Sequence, residues 1–192
     1  KKEIYNLADK YNSANIRIDT VSVSNCVTVG IDLPGITNAS YKGGGHSVLN
    51  CNCQGNGTLG IYVGYNSQVR NCTVKQNNDI GIQCASTGII RDCIVSDHDQ
   101  YGIKIDDASL VENCVVQRGS INGVGIYSLP GSTIRNCIVK YTRKGIETED
   151  GCTVIGNTLI YNTFFGIYCS SGCLIQNNTA INNYSGIRGE SA

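Results

Sequence analysis

The stretch SDHDQYGIKIDD, Ser96 to Asp107, gathers a histidine, a lysine and five aspartate or tyrosine side chains into twelve residues. Asp97, His98 and Asp99 fall in a polar loop. Lys104 and Asp106 follow two residues apart, a spacing that puts both side chains on one face of a strand. Groups of these types can do acid–base work, in which one takes a proton, another gives one, and a cation stabilises the charge that develops between them. The eleven cysteines raise other chemistry: disulfides, a metal site or a redox centre. Yet near copies of one cysteine context recur, QVRNCTVK at Gln68, IIRDCIVS at Ile89 and TIRNCIVK at Thr133, so the elements that position these residues must repeat.

Two marks run through the chain in step. The residue after Asn or its equivalent falls at Cys26, Cys51, Cys72, Cys93, Cys114 and Cys137, then continues as Asn157 and Asn178. A Gly-Ile dipeptide places isoleucine at Ile36, Ile61, Ile82, Ile103, Ile126, Ile146, Ile167 and Ile187. From isoleucine to the next mark is 11 residues in six successive repeats, while the return to glycine varies between 8 and 11. Within GIYVGYNSQVRNCTVKQNND, alternation puts Ile61, Val63, Val69, Cys72 and Val74 inward on three short strands. Asn25, Asn50, Asn71, Asp92, Asn113, Asn136, Gly156 and Asn177 take the bend between the second and third strands, where asparagine and glycine tolerate left-handed backbone. Glycine and asparagine interrupt every window of helical period, so the repeat must coil as strands, each stacked in parallel about 4.8 Å above its counterpart.

Composition narrows the classes further. The 192 residues suit one domain with its own core, so 1–192 is expected to be a single β-helix domain, with residues 1–15 as a cap and 16–192 as rungs. Lysine plus arginine and aspartate plus glutamate both number 15, and no broad basic surface points to nucleic acid or to an anionic membrane. No run of eighteen apolar residues is present, so no membrane partner is expected. Ile4, Leu7, Ala8 and Tyr11 fit one face of a short N-terminal helix that would cover the first rung. The chain stops soon after its last Gly-Ile, which leads us to expect a fragment of a larger protein, or a homo-oligomer or end-to-end contact through an uncapped C-terminal rung.

With its GI…V.NC.V..N and GI…I.NNT…N rungs, the sequence resembles the right-handed parallel β-helices of the pectin-lyase-like superfamily over about residues 16 to 192. The resemblance implies an all-β, single-stranded coil of about eight rungs of about 21 residues. It also implies one of several activities, because the superfamily includes pectate and alginate lyases, polygalacturonases, mannuronan epimerases, phage tailspikes and structural surface repeats. An extracellular, cell-surface or phage setting follows from the same likeness.

In enzymes of that superfamily the sugar chain lies along the strand that follows Gly-Ile. The residues just after each isoleucine are Thr37, Tyr62, Gln83, Lys104, Tyr127, Glu147, Tyr168 and Arg188, which would give aromatic faces for sugar rings and charges for hydroxyls or carboxylates. From Tyr62 to Arg188 these are the expected polysaccharide-binding residues. Expected catalytic residues, should the chain be an enzyme, are His98, Lys104, Asp106, Tyr127 and Glu147, with calcium as a cofactor only if it is a uronate lyase. Asp106 paired with Glu149 would instead suit glycoside hydrolysis. The chain lacks the DPHE motif of mannuronan epimerases, the lysine–arginine signature of alginate lyases and the aspartate cluster of polygalacturonases. Three functions therefore stand open: a polysaccharide-binding domain, a polysaccharide lyase, epimerase or hydrolase, and a structural spacer or tailspike-like arm.

The cysteines receive a plainer expectation. Stacked at one inward position, they form a ladder whose parallel Cβ vectors disfavour disulfides and whose line of sulfurs cannot converge on a zinc ion. Their role is packing. In YKGGGHS, Tyr41 to Ser47, His46 is expected at the tip of a surface loop.

Overall fold

The computed structural model describes residues 4–5, 15–35, 37–38, 41–42 and 44–190. Three parallel sheets wind into one right-handed coil. Sheet A has nine strands, from Ile4–Tyr5 and Ile31–Leu33, through Leu59–Val63, Tyr101–Ile105 and Val124–Ser128, to Ser185–Gly189. Sheet B has eight, from Arg17–Asp19 to Leu174–Gln176, and sheet C has eight, from Ser22–Ser24 to Thr179–Ile181. Residues of like position stack: Ile61, Ile82, Ile103, Ile126, Ile146 and Ile167 are Cα partners in series and are all fully buried.

Each sheet meets the next at a corner with one left-handed residue per rung. Asn50, Asn71, Asp92, Asn113, Asn136, Gly156 and Asn177 turn sheet B into sheet C, with φ between 53° and 68°. Asn25, Gly55, Gln76, Asp97, Arg118, Tyr141, Tyr161 and Asn182 turn C into A, and Asn15, Gly45, Asn66, Thr87, Ala108, Gly131, Gly151 and Gly172 turn A into B. The glycine of the Gly-Ile mark has a different cause. A Cβ on Gly125 would stand 2.2 Å from Val139 Cγ1 and 2.6 Å from the Gly145 carbonyl oxygen, so a side chain there would collide with the strand behind it and the rung beyond.

The first rung corrects the expected register. Ile61 pairs with Ile31, so Gly30-Ile31, not Gly35-Ile36, is the first mark, and Asp32 rather than Thr37 stands beside Tyr62. Val23 pairs with Cys53, thirty residues on. Val21 therefore precedes Cys51 in the cysteine ladder, Cys26 belongs to the column of Asn56, and Asn25 belongs to the C-to-A corner, with Thr20 as the B-to-C bend. Part of the excess forms a small antiparallel pair, Thr37–Asn38 with Tyr41–Lys42. Ile4–Tyr5 is a strand laid parallel on Ile31–Asp32, which satisfies the open edge of sheet A by β-addition where a helix was expected. Leu7, Ala8 and Tyr11 lie outside the described residues.

All eleven cysteines are free thiols, ten of them buried. Cys72, Cys93, Cys114 and Cys137 each donate to the carbonyl two residues earlier, at 3.2 to 3.3 Å, which ties the ladder to its own corners. Cys152 and Cys173 follow Ser132 in a column of small residues and remain unbridged. His46 heads that same column and is fully buried, so it is no loop tip: its backbone N–H donates to Ser67 Oγ at 3.0 Å and its Nδ1 accepts from the Ile16 N–H at 3.3 Å.

Candidate functional site

The outward face of sheet A carries the expected stripe in unbroken register. Asp32, Tyr62, Gln83, Lys104, Tyr127, Glu147, Tyr168 and Arg188 are successive Cα partners. Strand alternation alone places them, because the flanking isoleucine and its second neighbour both point into the core. Seven expected binding residues, Tyr62 to Arg188, thus share one ladder at about 4.8 Å per step.

Side chains from the neighbouring columns tie the stripe together. Tyr127 donates a 2.8 Å hydrogen bond to Glu149 Oε1, and its ring lies 5.2 Å from that of Tyr101. Lys104 Nζ stands 5.6 Å from the Tyr101 ring. Lys144 Nζ bonds Glu147 Oε1 at 2.7 Å while standing 4.8 Å over the Tyr168 ring. Burial raises the Asp106 carboxyl above its ordinary range against the pull of Lys104, and burial followed by the Glu149 bond raises the Tyr127 phenol. Burial, then Asp106 and Asp32, raises the Tyr62 phenol. The face therefore keeps a protonated phenol beside carboxylates and a lysine, an arrangement able to bind hydroxyls and to move protons.

His98 does not join this group. It is 1% exposed, turned into the coil at the C-to-A corner in the column of Cys26, Asn56, Asn77, Thr142 and Asn162. Gly119 is its counterpart on the next rung, where a Cβ would sit 2.7 Å from His98 Nε2, so the imidazole occupies the space of two ladder side chains. Neither ring nitrogen has a hydrogen-bond partner, nor has Asn77 Nδ2. Burial lowers the His98 pKa to about 4, against the opposing effects of Asp97, the Val124 backbone and Asp99. Asp97 instead faces out and pairs with Arg118 at 2.8 Å. Lys104, Asp106, Tyr127 and Glu147 are brought to one face without it.

Sequence reasoning missed the aromatic surroundings at the C-terminal end of the stripe. Phe164 and Phe165, the chain's only phenylalanines, lie with ring centroids 3.9 Å apart; Phe165 is 5.3 Å from Tyr168, and Arg143 covers Phe164 at 4.9 Å. Arg188 stands 5.6 Å from the Phe165 ring. Strict alternation conceals these neighbours, because Tyr101, Lys144 and Phe165 stand two residues before the isoleucine and should point inward with it. The glycine between breaks the alternation. A Cβ on Gly102 would meet Val116 Cγ1 of the core, so glycine and isoleucine both face inward and the residue before them is free to reach the outer face.

The family described as right handed beta helix region matches residues 8–163. The chain belongs to the right-handed β-helix family. A comparison with curated proteins returns no match. Among solved structures, this β-helix is similar to the enzymatically active domain of tailspike protein 2 of bacteriophage CBA120, with a TM-score of 0.67, 15% identity, and 91% of this chain and 31% of that one covered. It is similar also to the A-module of a mannuronan C-5 epimerase of Azotobacter vinelandii, with a TM-score of 0.62, 10% identity, and 92% and 64% covered. A pectate lyase gives a TM-score of 0.61 at 17% identity, with 84% and 52% covered. The chain thus spans between 31% and 64% of the length of these structures, and at such identity the likeness is one of fold.

A calcium ion needs about six to eight oxygen ligands, and among the described residues no three acids, histidines or cysteines converge on a point. Asp106 and Glu149 stand two rungs apart, about 10 Å between backbone positions at ~4.8 Å per rung.

Proposed function

We propose that the outward face of sheet A, from Tyr62 to Arg188, binds a polysaccharide laid along the coil axis. The observation that carries this is the unbroken ladder Tyr62, Gln83, Lys104, Tyr127, Glu147, Tyr168 and Arg188, which repeats an aromatic, amide or charged group every rung. A polymer is matched by a surface that is itself periodic. Tyrosine faces take the C–H faces of sugar rings, and Lys104, Glu147 and Gln83 take hydroxyls or acidic groups. The names of two similar structures, a pectate lyase and a mannuronan epimerase, support the same ligand class.

The test is calorimetric titration with pectate, mannuronan and a neutral β-glucan, on the wild type and on Lys104→Ala and Tyr127→Ala. Binding of at least one polymer, weakened by both changes, is the expected result. No binding and no turnover across the panel would leave a structural spacer as the role of the coil.

A second reading rests on the raised pKa values of Asp106 and Tyr127 next to Lys104. In it Asp106 or Glu147 removes the proton beside a substrate carboxylate, Lys104 stabilises the resulting negative charge, and Tyr127 gives its proton to the leaving oxygen. The C–O bond breaks as a C=C bond forms, so an absorbance rise from unsaturated products, abolished in Lys104→Ala, distinguishes lyase from binder.

A further inference from the structure

The C-to-A corner carries an aromatic pair that the coil itself does not call for. Tyr141 and Tyr161 occupy successive positions in the column of left-handed residues Asn25, Gly55, Gln76, Asp97, Arg118 and Asn182, with φ of 58° and 54°. A bulky side chain at positive φ is strained, and most of the column is filled by asparagine, glycine or another polar residue. The two rings are parallel within 2° with centroids 5.6 Å apart, and each tyrosine is 50% exposed. Among the described residues neither hydroxyl has a hydrogen-bond partner, whereas Asp97 and Arg118 of the same column pair with each other. Lys140 brings its ammonium to 5.9 Å from the Tyr141 ring.

This pair stands at the corner that leads into sheet A, three residues before Lys144 and four before Phe165, which open the next two strands of that sheet. Two residues beyond Tyr141, Arg143 covers Phe164; Phe164 touches Phe165, and Phe165 lies 5.3 Å from Tyr168 of the stripe. An aromatic track therefore leaves the stripe at Tyr168, passes through Phe165 and Phe164 and reaches the exposed Tyr184 at 6.1 Å, while Tyr141 and Tyr161 stand as a separate pair at the corner that feeds these strands. We propose that Tyr141 and Tyr161 form a sugar-binding subsite around the corner, taking a branch or neighbouring sugar unit of the same glycan that lies on sheet A. The ring faces accept the apolar C–H face of the sugar, while Lys140 and the two free hydroxyls reach its oxygens. The inference rests on the polysaccharide reading of the stripe and adds to it a site off the strand face.

The paired replacement Tyr141→Asn with Tyr161→Asn separates this role from a structural one, because asparagine already stands at this corner at Asn25 and Asn182. The probes are pectate, mannuronan and a neutral β-glucan. We expect the affinity of the bound polymer to fall about five- to tenfold, the effect of losing a stacked aromatic, with a melting temperature unchanged or raised. The share of the hydroxyls is read from Tyr141→Phe with Tyr161→Phe, which keeps the rings and should keep affinity within about threefold. If the asparagine pair fails to fold, the corresponding glycine pair is read instead. Unchanged affinity in the asparagine or glycine pair, alongside weakened binding in Lys104→Ala, overturns the corner subsite and leaves the stripe standing. Absence of polysaccharide binding in the wild type overturns both.

Discussion

The Tyr127 hydroxyl donates to Glu149 Oε1 at 2.8 Å, linking the central column of the strand face to the column beside it. Tyr127→Phe removes that bond but keeps the ring packed 5.2 Å from Tyr101. Because both groups are only half-buried, the expected loss of stability is at most about 1 kcal/mol. Affinity for the bound polysaccharide should fall about fivefold, since the change frees Glu149 to hydrate and removes a donor from the face. Calorimetric titration beside thermal unfolding checks both halves. Equal affinity in the two proteins would take the hydroxyl out of the site.

His98 gives the coil an acid sensitivity that sets in at a higher pH than that of its lowered carboxylates, Asp19 and Asp97. Burial holds its pKa at about 4 in the folded chain, below the ordinary 6.5. Above pH 6.5 the ring is neutral folded or unfolded; between 6.5 and 4 only the unfolded chain takes the proton, so stability falls as pH falls and the loss is complete below about 4. The full shift corresponds to about 3 kcal/mol. His46, whose pKa burial also lowers, adds to the same window. His98→Asn would return asparagine to a column that holds it at Asn56, Asn77 and Asn162, and should abolish most of the slope, at a cost of about 1 kcal/mol at pH 7 for the space left beside Gly119. Urea unfolding at pH 7 and pH 4.5 measures it; an unchanged slope would assign the acid sensitivity elsewhere.

The coil was legible because its physics is periodic. A parallel stack demands the same residue type at the same place on each rung, so Ile61 to Ile167 and Cys51 to Cys137 announce it, and the outward stripe follows from alternation. Two kinds of feature did not repeat and were misread. In VGIDLPGITN both dipeptides fit the mark, and Gly35-Ile36 gave an interval nearer 21; only the pairing of Val23 with Cys53 shows that the first rung is 30 residues long. His98 looked like loop chemistry because its neighbours are aspartates, yet it sits at a corner where the residue after the left-handed position turns inward. The absent side chain of Gly119, on the following rung, is what makes room for it, and a single rung cannot reveal that.

On the outer face of sheet B, Glu112 lies between Arg91, at 3.3 Å, and Arg135, at 2.8 Å. Arg70 precedes Arg91 in the same column. Glu112→Gln leaves three arginines in line around a neutral residue, with partial exposure screening their repulsion. The expected loss is about 1 kcal/mol at low salt, shrinking as salt rises. Denaturant midpoints at low and high sodium chloride test this, and a loss independent of salt would point to packing rather than charge.

Cys137 stands where the ladder changes from thiol to amide. Its N–H donates to Asn157 Oδ1 at 2.9 Å, while Asn157 Nδ2 donates to the Ile134 carbonyl at 3.0 Å. Earlier in the ladder, the Cys51 N–H makes the weaker contact to Cys72 Sγ at 3.4 Å. The slot thus asks for a compact side chain that accepts from the rung before it, and asparagine meets that need with an oxygen where cysteine offers a sulfur. Cys137→Asn should extend the amide ladder by one rung and change stability by no more than about 1 kcal/mol. Cys137→Leu, which adds bulk without an acceptor, should cost about 1–3 kcal/mol. Native-state alkylation provides an independent check that the thiols pack and do not react. Burial raises Cys53 and Cys84 to about 12, so both should label only as fast as the coil unfolds. Rapid labelling of either thiol in the folded chain, or a Cys137→Asn variant as unstable as Cys137→Leu, would contradict a ladder held by packing and corner hydrogen bonds.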